Sequence, residues 1–319
     1  MSSSSFRRLP ALNRFFPSPP LRARLWGIPV SHHLRTITTT PTPRNRESGN
    51  RVAIVTGAAR GIGRAIALRL AQDGYSITAS DLPALQPQLD SVVSEITSAG
   101  KTKAHAYLAD VTSASQVDAL VRSSADVLGP LDTMVANAGI AQVKPLLDLT
   151  PHEFQLMLEV NVAGVHYCFQ AAAKQLISQQ QQEPPQKDRQ MIRGKLIAAA
   201  SIVAFKPFAL MGHYSASKWA VRGLTQAYAM ELAGHKITAN AYAPGIVDTN
   251  MWELIDEGLG AREGRAKGET IKKYSHDLIA LGRTSVPEDV AGLVSFLGGP
   301  NSDYITGQTY VVDGGIIFT

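Results

Sequence analysis

From Arg51 onward, short uninterrupted apolar runs alternate with longer segments in which apolar residues recur every three to four positions. Residues 52–55 form the first such run, of strand length and apolar throughout. The segment after it places Ile62, Ile66 and Leu70 on one helical face and meets Gly74, a residue suited to ending a helix. Runs of the same kind predict further strands near residues 76–80, 104–108, 131–136, 195–200, 236–242 and 309–312. Apolar runs without a polar alternate residue mean strands buried on both faces, and helices between them mean crossover connections. The pattern therefore predicts an α/β fold, a single doubly wound parallel-sheet (Rossmann) domain of about seven strands spanning residues 51–319. Gln179, Gln180, Gln181 and Gln182, followed by Glu183, Pro184 and Pro185, are too polar and too proline-bound for a core. They predict an exposed loop insertion over about residues 178–193.

Residues 1–50 do not share this pattern. They carry eight arginines, no lysine and one acid, Glu47, for a net charge of +7. The chain's overall +5, from 31 basic and 26 acidic side chains, therefore leaves a body at −2. A mildly acidic body has no electrostatic footprint for a phosphate backbone, so no nucleic-acid partner is expected. The arginine-rich, acid-poor extension, with Ser, Thr and Pro and no signal-type apolar run, reads as a transit peptide to the mitochondrial matrix; a cytoplasmic protein with a disordered extension is the alternative. No stretch is long and apolar enough for a membrane helix, and the single cysteine, Cys168, excludes an internal disulfide framework or a cysteine-based zinc cluster. No metal site is expected.

Candidate chemistry begins directly after the first strand, at Thr56, Gly57, Ala58, Ala59, Arg60, Gly61, Ile62 and Gly63. Glycines at a strand-to-helix turn let the backbone approach a pyrophosphate that the helix N-terminus attracts. The Gly-x3-Gly-x-Gly spacing departs from the commoner dinucleotide fingerprint, so the flanking strand and helix carry much of the reading. Asp81, at the end of the second strand, can accept hydrogen bonds from both hydroxyls of an adenosine ribose, which favours NAD. Arg60 could instead pair with the extra phosphate of NADP. A carboxylate facing that phosphate costs more than an exposed ion pair returns, so NAD is the expected cofactor and NADP the alternative.

Tyr214 and Lys218 lie four residues apart, on one face of a helix. A phenol titrating near pH 10 is a poor acid or base at neutral pH, and a neighbouring cation lowers its pKa. Thirteen residues earlier, Ser201 follows a predicted strand, at the edge where open α/β sheets place ligands. The glycine motif, Asp110-Val111, Asn137-Ala138-Gly139, Asn161, Ser201, Tyr214, Lys218 and Pro244-Gly245 occur in an order and spacing that resembles the classical short-chain dehydrogenases/reductases over roughly residues 51–315. Ala136 departs from that pattern, in which many members have a further asparagine. The resemblance implies Tyr214 as proton donor and acceptor, Ser201 holding the substrate oxygen, and Lys218 lowering the tyrosine pKa and bonding the nicotinamide ribose. It implies Asn161 in a water-linked proton path. It also implies Gly57, Arg60, Ile62, Gly63, Asp81, Asp110, Val111, Asn137, Gly139, Pro244, Gly245, Val247 and Thr249 at the cofactor, with Asp110 near adenine and Val247 near the carboxamide. A homo-oligomer, dimer or tetramer, is implied as well.

Those residues predict hydride transfer between nicotinamide and a secondary alcohol or ketone. The C-terminal third, with Met251-Trp252 and residues 303–308, resembles the branch of diacetyl/acetoin reductases and 2,3-butanediol dehydrogenases. Ile202, Phe208 and Trp252 predict a small apolar substrate pocket, with Trp252 in a lid, while Lys206 could face the pocket mouth. His213 is expected to be partly exposed and without a catalytic role, and Cys168 to be core. Two other readings are a 3-oxoacyl-thioester reductase and a non-catalytic nucleotide-sensing protein of the same fold.

Overall fold

The structure, a computed structural model, describes residues 51–182 and 192–319. Seven strands, β1 (Arg51–Thr56), β2 (Tyr75–Asp81), β3 (Ala104–Leu108), β4 (Leu131–Ala136), β5 (Gly194–Ala199), β6 (Ile237–Pro244) and β7 (Thr309–Val312), form one sheet in the order β3-β2-β1-β4-β5-β6-β7. Every pairing is parallel. The order reverses between β1 and β4, which opens a crevice at their C-terminal ends where a ligand can enter.

Nine α-helices lie among the described residues: α1 (Gly61–Gln72), α2 (Gln86–Ser98), α3 (Ala114–Leu128), α4 (Pro151–Leu158), α5 (Gly164–Gln182), α6 (Gly212–Leu232), α7 (Asn250–Glu263), α8 (Glu269–Leu278) and α9 (Pro287–Gly298). Successive residues of β1 show why its apolar run is continuous. Val52 and Ile54 face a layer built from α3, α5 and α6, whereas Ala53 and Val55 face a layer built from α1, α2 and α9. Each layer removes a full face of the sheet from water, at about 25 cal/mol per Å² of apolar surface. Cys168 packs in the first layer, and Ile66 and Leu70 in the second, all buried. Gly74 ends the first crossover in a left-handed conformation, φ +89°, with its N–H donating to Ala71.

Two expectations fall wholly or partly outside the described residues: the N-terminal extension, residues 1–50, and residues 183–191 of the loop insertion. The described part of that insertion corrects the reading. The glutamine run is not a loop, because α5 continues through Gln182. Gln179 braces the N-terminal end of β4, its Nε2 donating to the Leu131 carbonyl at 2.9 Å while its Oε1 accepts from the Leu131 N–H at 2.9 Å. Gln180 donates to the His235 carbonyl. Polar composition misled the sequence reading here, since these amides substitute for backbone partners at a sheet end. No helix among the described residues is long and apolar enough to cross a membrane.

A third apolar cluster sits apart from the two sheet layers. Tyr214, Met211, Val203 and Met157 pack there with Ile255 and Leu259 of α7, and with Phe208, Trp252, Ile202 and Tyr274 at its edges. This cluster forms a roof and a floor beside the C-terminal ends of β5 and β6.

Candidate active site

A cleft of about 720 Å³ runs along the C-terminal edge of the sheet across the point where the strand order reverses. Gly57, Arg60, Gly61, Ile62 and Gly63 line it after β1, Asp81 after β2, Asp110 and Val111 after β3, and Asn137 and Gly139 after β4. Tyr214, Lys218, Pro244 and Thr249 complete the far end. Fourteen separate positions of sequence thus converge because each strand of a parallel sheet ends at the same edge.

The glycine turn is held by contacts that a side chain would destroy. Gly57 takes φ +66°, and a Cβ there would stand 2.9 Å from both the Ala138 Cα and the Asn137 Nδ2. The Asn137 amide donates to the carbonyls of Thr56 (2.9 Å) and Gly57 (3.2 Å), and its Oδ1 accepts from the Tyr242 hydroxyl at 2.7 Å. Asn137 therefore braces the ends of β1 and β4. Tyr242, which shares this brace with Thr56, carries no motif signal in the sequence. Burial pushes the Tyr242 phenol far above its usual range, so it stays a donor. The turn leaves the N-terminus of α1 facing the cleft, a cradle that fits the pyrophosphate of a dinucleotide.

Asp81 is fixed by backbone donors, its Oδ2 accepting from the Ala59 N–H at 3.0 Å and its Oδ1 from the Leu82 N–H at 2.9 Å. Each oxygen keeps a lone pair for a ribose hydroxyl. Arg60 is exposed beside it on the cleft wall. Asp110 accepts from the N–H and hydroxyl of Thr112.

Around Tyr214 the side chains are almost fully buried. Burial raises the phenol to about 12, and a hydrogen bond with the Ser201 hydroxyl pulls the other way. Lys218 donates to the Ala199 carbonyl at 2.8 Å, with its Nζ 5.6 Å from the centroid of the Tyr214 ring. Burial lowers Lys218 to about 8. Burial thus sets the net direction of the phenol shift, opposite to the pull expected of a neighbouring cation. At neutral pH Tyr214 holds its proton, the state required of an acid.

Asn161 sits in a π-helical turn, Glu159–Ala163, between α4 and α5, a geometry that often marks function. Its Nδ2 donates to the Ile140 carbonyl (2.9 Å) and the Ser217 hydroxyl (3.0 Å), and its Oδ1 accepts from the Ile140 N–H (2.9 Å). A Cβ on Gly139 would lie 3.0 Å from that Oδ1 and 3.5 Å from the Lys218 Nζ. Asn161 therefore ties the segment after β4 to α6 and keeps it close to the lysine. Its amide is committed to protein partners, which makes it a positioning residue.

Two expected cofactor contacts stand away from the cleft wall. Gly245 lies against Asp313, where a Cβ would be 2.6 Å from the aspartate Cβ, and the Val247 side chain is buried in the layer that includes α9. Neither could be told from its neighbours by motif spacing alone. His213 is buried, not partly exposed. The Gln142 amide donates to Glu153 at 2.7 Å, so it must present its oxygen to the His213 Nε2, 3.0 Å away. Burial lowers the His213 pKa, and the ring supports the floor under Tyr214 as a neutral group. Lys206 is exposed and does not line the cleft. Trp252 lies in α7, its Nε1 donating to the Gly245 carbonyl at 3.4 Å.

Comparison with known proteins agrees with this geometry. Residues 51–260 match the family model for short chain dehydrogenase. The chain is 46% identical over 269 residues to L-2,3-butanediol dehydrogenase of Corynebacterium glutamicum, covering 84% of this chain and 99% of that protein. It is 38% identical over 273 residues to the (S)-acetoin-forming diacetyl reductase of Staphylococcus epidermidis, covering 84% and 99%. Among solved structures, a blue fluorescent protein from a metagenomic library in complex with NADPH superposes with a TM-score of 0.71 at 32% identity, covering 85% of this chain and 99% of that one. The chain belongs to the short-chain dehydrogenase family, and it is an oxidoreductase that passes hydride between a nicotinamide cofactor and an alcohol or ketone carbon.

Proposed function

We propose that the protein reduces small uncharged vicinal diketones and hydroxyketones, with diacetyl and acetoin as its substrates, and draws on NADH. The observation that carries this reading is the apolar cluster packed around Tyr214. Met211, Val203, Ile255 and Leu259 are buried there, and Ile140, Ala141 and Met251 continue the apolar surface into the cleft. Arg60 and Lys218 are the basic side chains that line the cleft among the described residues, and Arg60 stands at the opposite end, beside Asp81. Beside Tyr214 a phosphorylated sugar or a carboxylate would find as cation only the buried Lys218, which already donates to the Ala199 carbonyl, whereas a four-carbon ketone would lose only water. The names of the butanediol and diacetyl enzymes support the same substrate class.

In that reading the cofactor, when bound, supplies the hydride, and the protein supplies position and one proton. The hydroxyls of Ser201 and Tyr214 would share the substrate oxygen, and the Tyr214 O–H would donate its proton as that oxygen gains charge. The Lys218 cation, held by the Ala199 carbonyl, stabilises the phenolate left behind. Oxidation of the alcohol runs the same transfer in reverse, with Tyr214 accepting the proton.

Asp81 supports NADH over NADPH. An acyl-thioester reductase is the second reading. Steady-state oxidation of NADH by purified protein with diacetyl, acetoin and acyl thioesters separates them. Catalytic efficiency above about 10⁴ M⁻¹s⁻¹ for diacetyl or acetoin is expected. Efficiencies a hundredfold lower than for the thioesters would contradict the proposal. The extension is proposed to direct the protein to the mitochondrial matrix, and a reporter fused to residues 1–50 that stays cytosolic would overturn that assignment.

A further inference from the structure

The roof over the substrate end meets the segment after β4 at a glycine. Met251, Leu254, Ile255, Gly258 and Leu259 share one stripe of α7, at spacings of three, four and seven residues. Met251 and Leu254 line the cleft, while Ile255 and Leu259 pack in the cluster around Tyr214. Gly258, two turns along from Met251, meets the segment that follows β4. A Cβ placed on Gly258 would stand 2.8 Å from the Val143 Cβ and 3.2 and 3.3 Å from its methyl carbons. Carbon atoms are comfortable at about 3.5 Å or more, so any side chain at 258 must drive the two segments apart by about 0.7 Å.

That displacement would reach the substrate end because the roof is a unit. Asp256, 2% exposed, accepts from the Gly268 N–H at 2.5 Å and the Ile271 N–H at 2.7 Å, which clamps the first turn of α8 onto α7. Tyr274 of α8 in turn sets its ring edge-on to Phe208 of the floor, with centroids 5.8 Å apart. The opposing wall is equally short of slack. Val143 follows Ile140 and Ala141, both of which line the cleft, and the Lys144 N–H donates to the Leu210 carbonyl at 2.7 Å.

We propose that Gly258 is a specificity-determining residue: its lack of a side chain lets α7 close onto Val143, and this contact sets the width of the substrate end and excludes longer ketones. The proposal rests on the small-diketone reading above. It assigns size selection to a glycine that touches neither substrate nor cofactor, through the close approach of two backbone segments.

The test is a homologous series, diacetyl, 2,3-pentanedione and 2,3-hexanedione, with NADH. Wild-type protein should lose efficiency with each added methylene, and Gly258→Ala should raise the pentanedione-to-diacetyl ratio of kcat/KM by about tenfold, the low end of the worth of one methylene in a fitted pocket. The change should appear mainly in KM for the longer dione. Gly258→Ala combined with Val143→Gly moves the missing Cβ to the other side of the contact and should restore the wild-type ratio. Gly292→Ala, in α9 with open space where its Cβ would stand, is the control for helix propensity, and it should leave the ratio unchanged. An unchanged ratio in Gly258→Ala, a paired variant that keeps the widened profile, or a Gly258→Ala protein too unstable to purify would overturn the inference. Wild-type protein that reduces none of the diones would instead overturn the substrate reading on which it rests.

Discussion

Replacing Asp81 with asparagine should move cofactor preference toward NADP, and the structure supplies the size of the effect. The carboxylate is fixed at the cleft wall by the Ala59 and Leu82 N–H groups, so it cannot swing away from an incoming 2′-phosphate. Two unit charges 4 Å apart repel by about 4 kcal/mol at an effective dielectric of 20 and about 1 kcal/mol in water. Asp81 is half-buried, which places its penalty near 2 kcal/mol, or roughly 30-fold in the NADH-to-NADPH ratio of kcat/KM. Exposed Arg60 returns less than 1 kcal/mol of this through its attraction for the same phosphate. Asparagine keeps one acceptor oxygen and so one of the two backbone bonds, losing about 1 kcal/mol of stability and about 3 °C of melting temperature. The assay is initial rate against each cofactor at equal, sub-saturating concentration for wild type and Asp81→Asn. Wild-type protein already faster with NADPH, or a variant whose ratio does not move, would refute the reasoning.

Further outcomes follow from the buried pair beside the substrate. Tyr214→Phe removes the proton donor and should lower turnover by about 100-fold or more with little change in cofactor binding; near-normal turnover with an unaltered pH profile would reject its role. Lys218 titrates near 8 in the folded protein against 10.5 when exposed, so between those values the unfolded chain binds more protons and stability rises with pH. Measured by urea unfolding, wild type should gain about 3 kcal/mol relative to Lys218→Met between pH 7 and pH 11. Parallel stability curves for the two proteins would show that the ammonium is not desolvated.

The sheet was legible because its strands are buried on both faces, which leaves continuous apolar runs in the sequence. The site was legible where spacing and position combine, as in the one-turn separation of Tyr214 and Lys218 with Ser201 upstream at a strand end, and in the glycines set between β1 and the helix after it. What the sequence concealed depends on contacts between distant segments. Asn137 looks like a cofactor ligand in a motif, yet its amide is used to brace Thr56, Gly57 and Tyr242. Gln179 reads as part of a polar tract, but it completes the hydrogen bonding of a strand end 48 residues away. Gly258 carries no motif at all, and its meaning appears only when Val143 is set against it. The direction of the Tyr214 shift could not be read either, because burial decides it and four-residue spacing does not report burial.

The most direct test of hydride transfer at this site is the fate of a label. Purified protein incubated with diacetyl and NADH carrying deuterium at C4, each diastereomer in turn, should place one deuterium on the carbinol carbon of acetoin with one diastereomer and none with the other. Tyr214→Phe should yield little labelled product in the same time. Acetoin formed without deuterium from either diastereomer, or no acetoin from wild-type protein with saturating cofactor, would contradict the account.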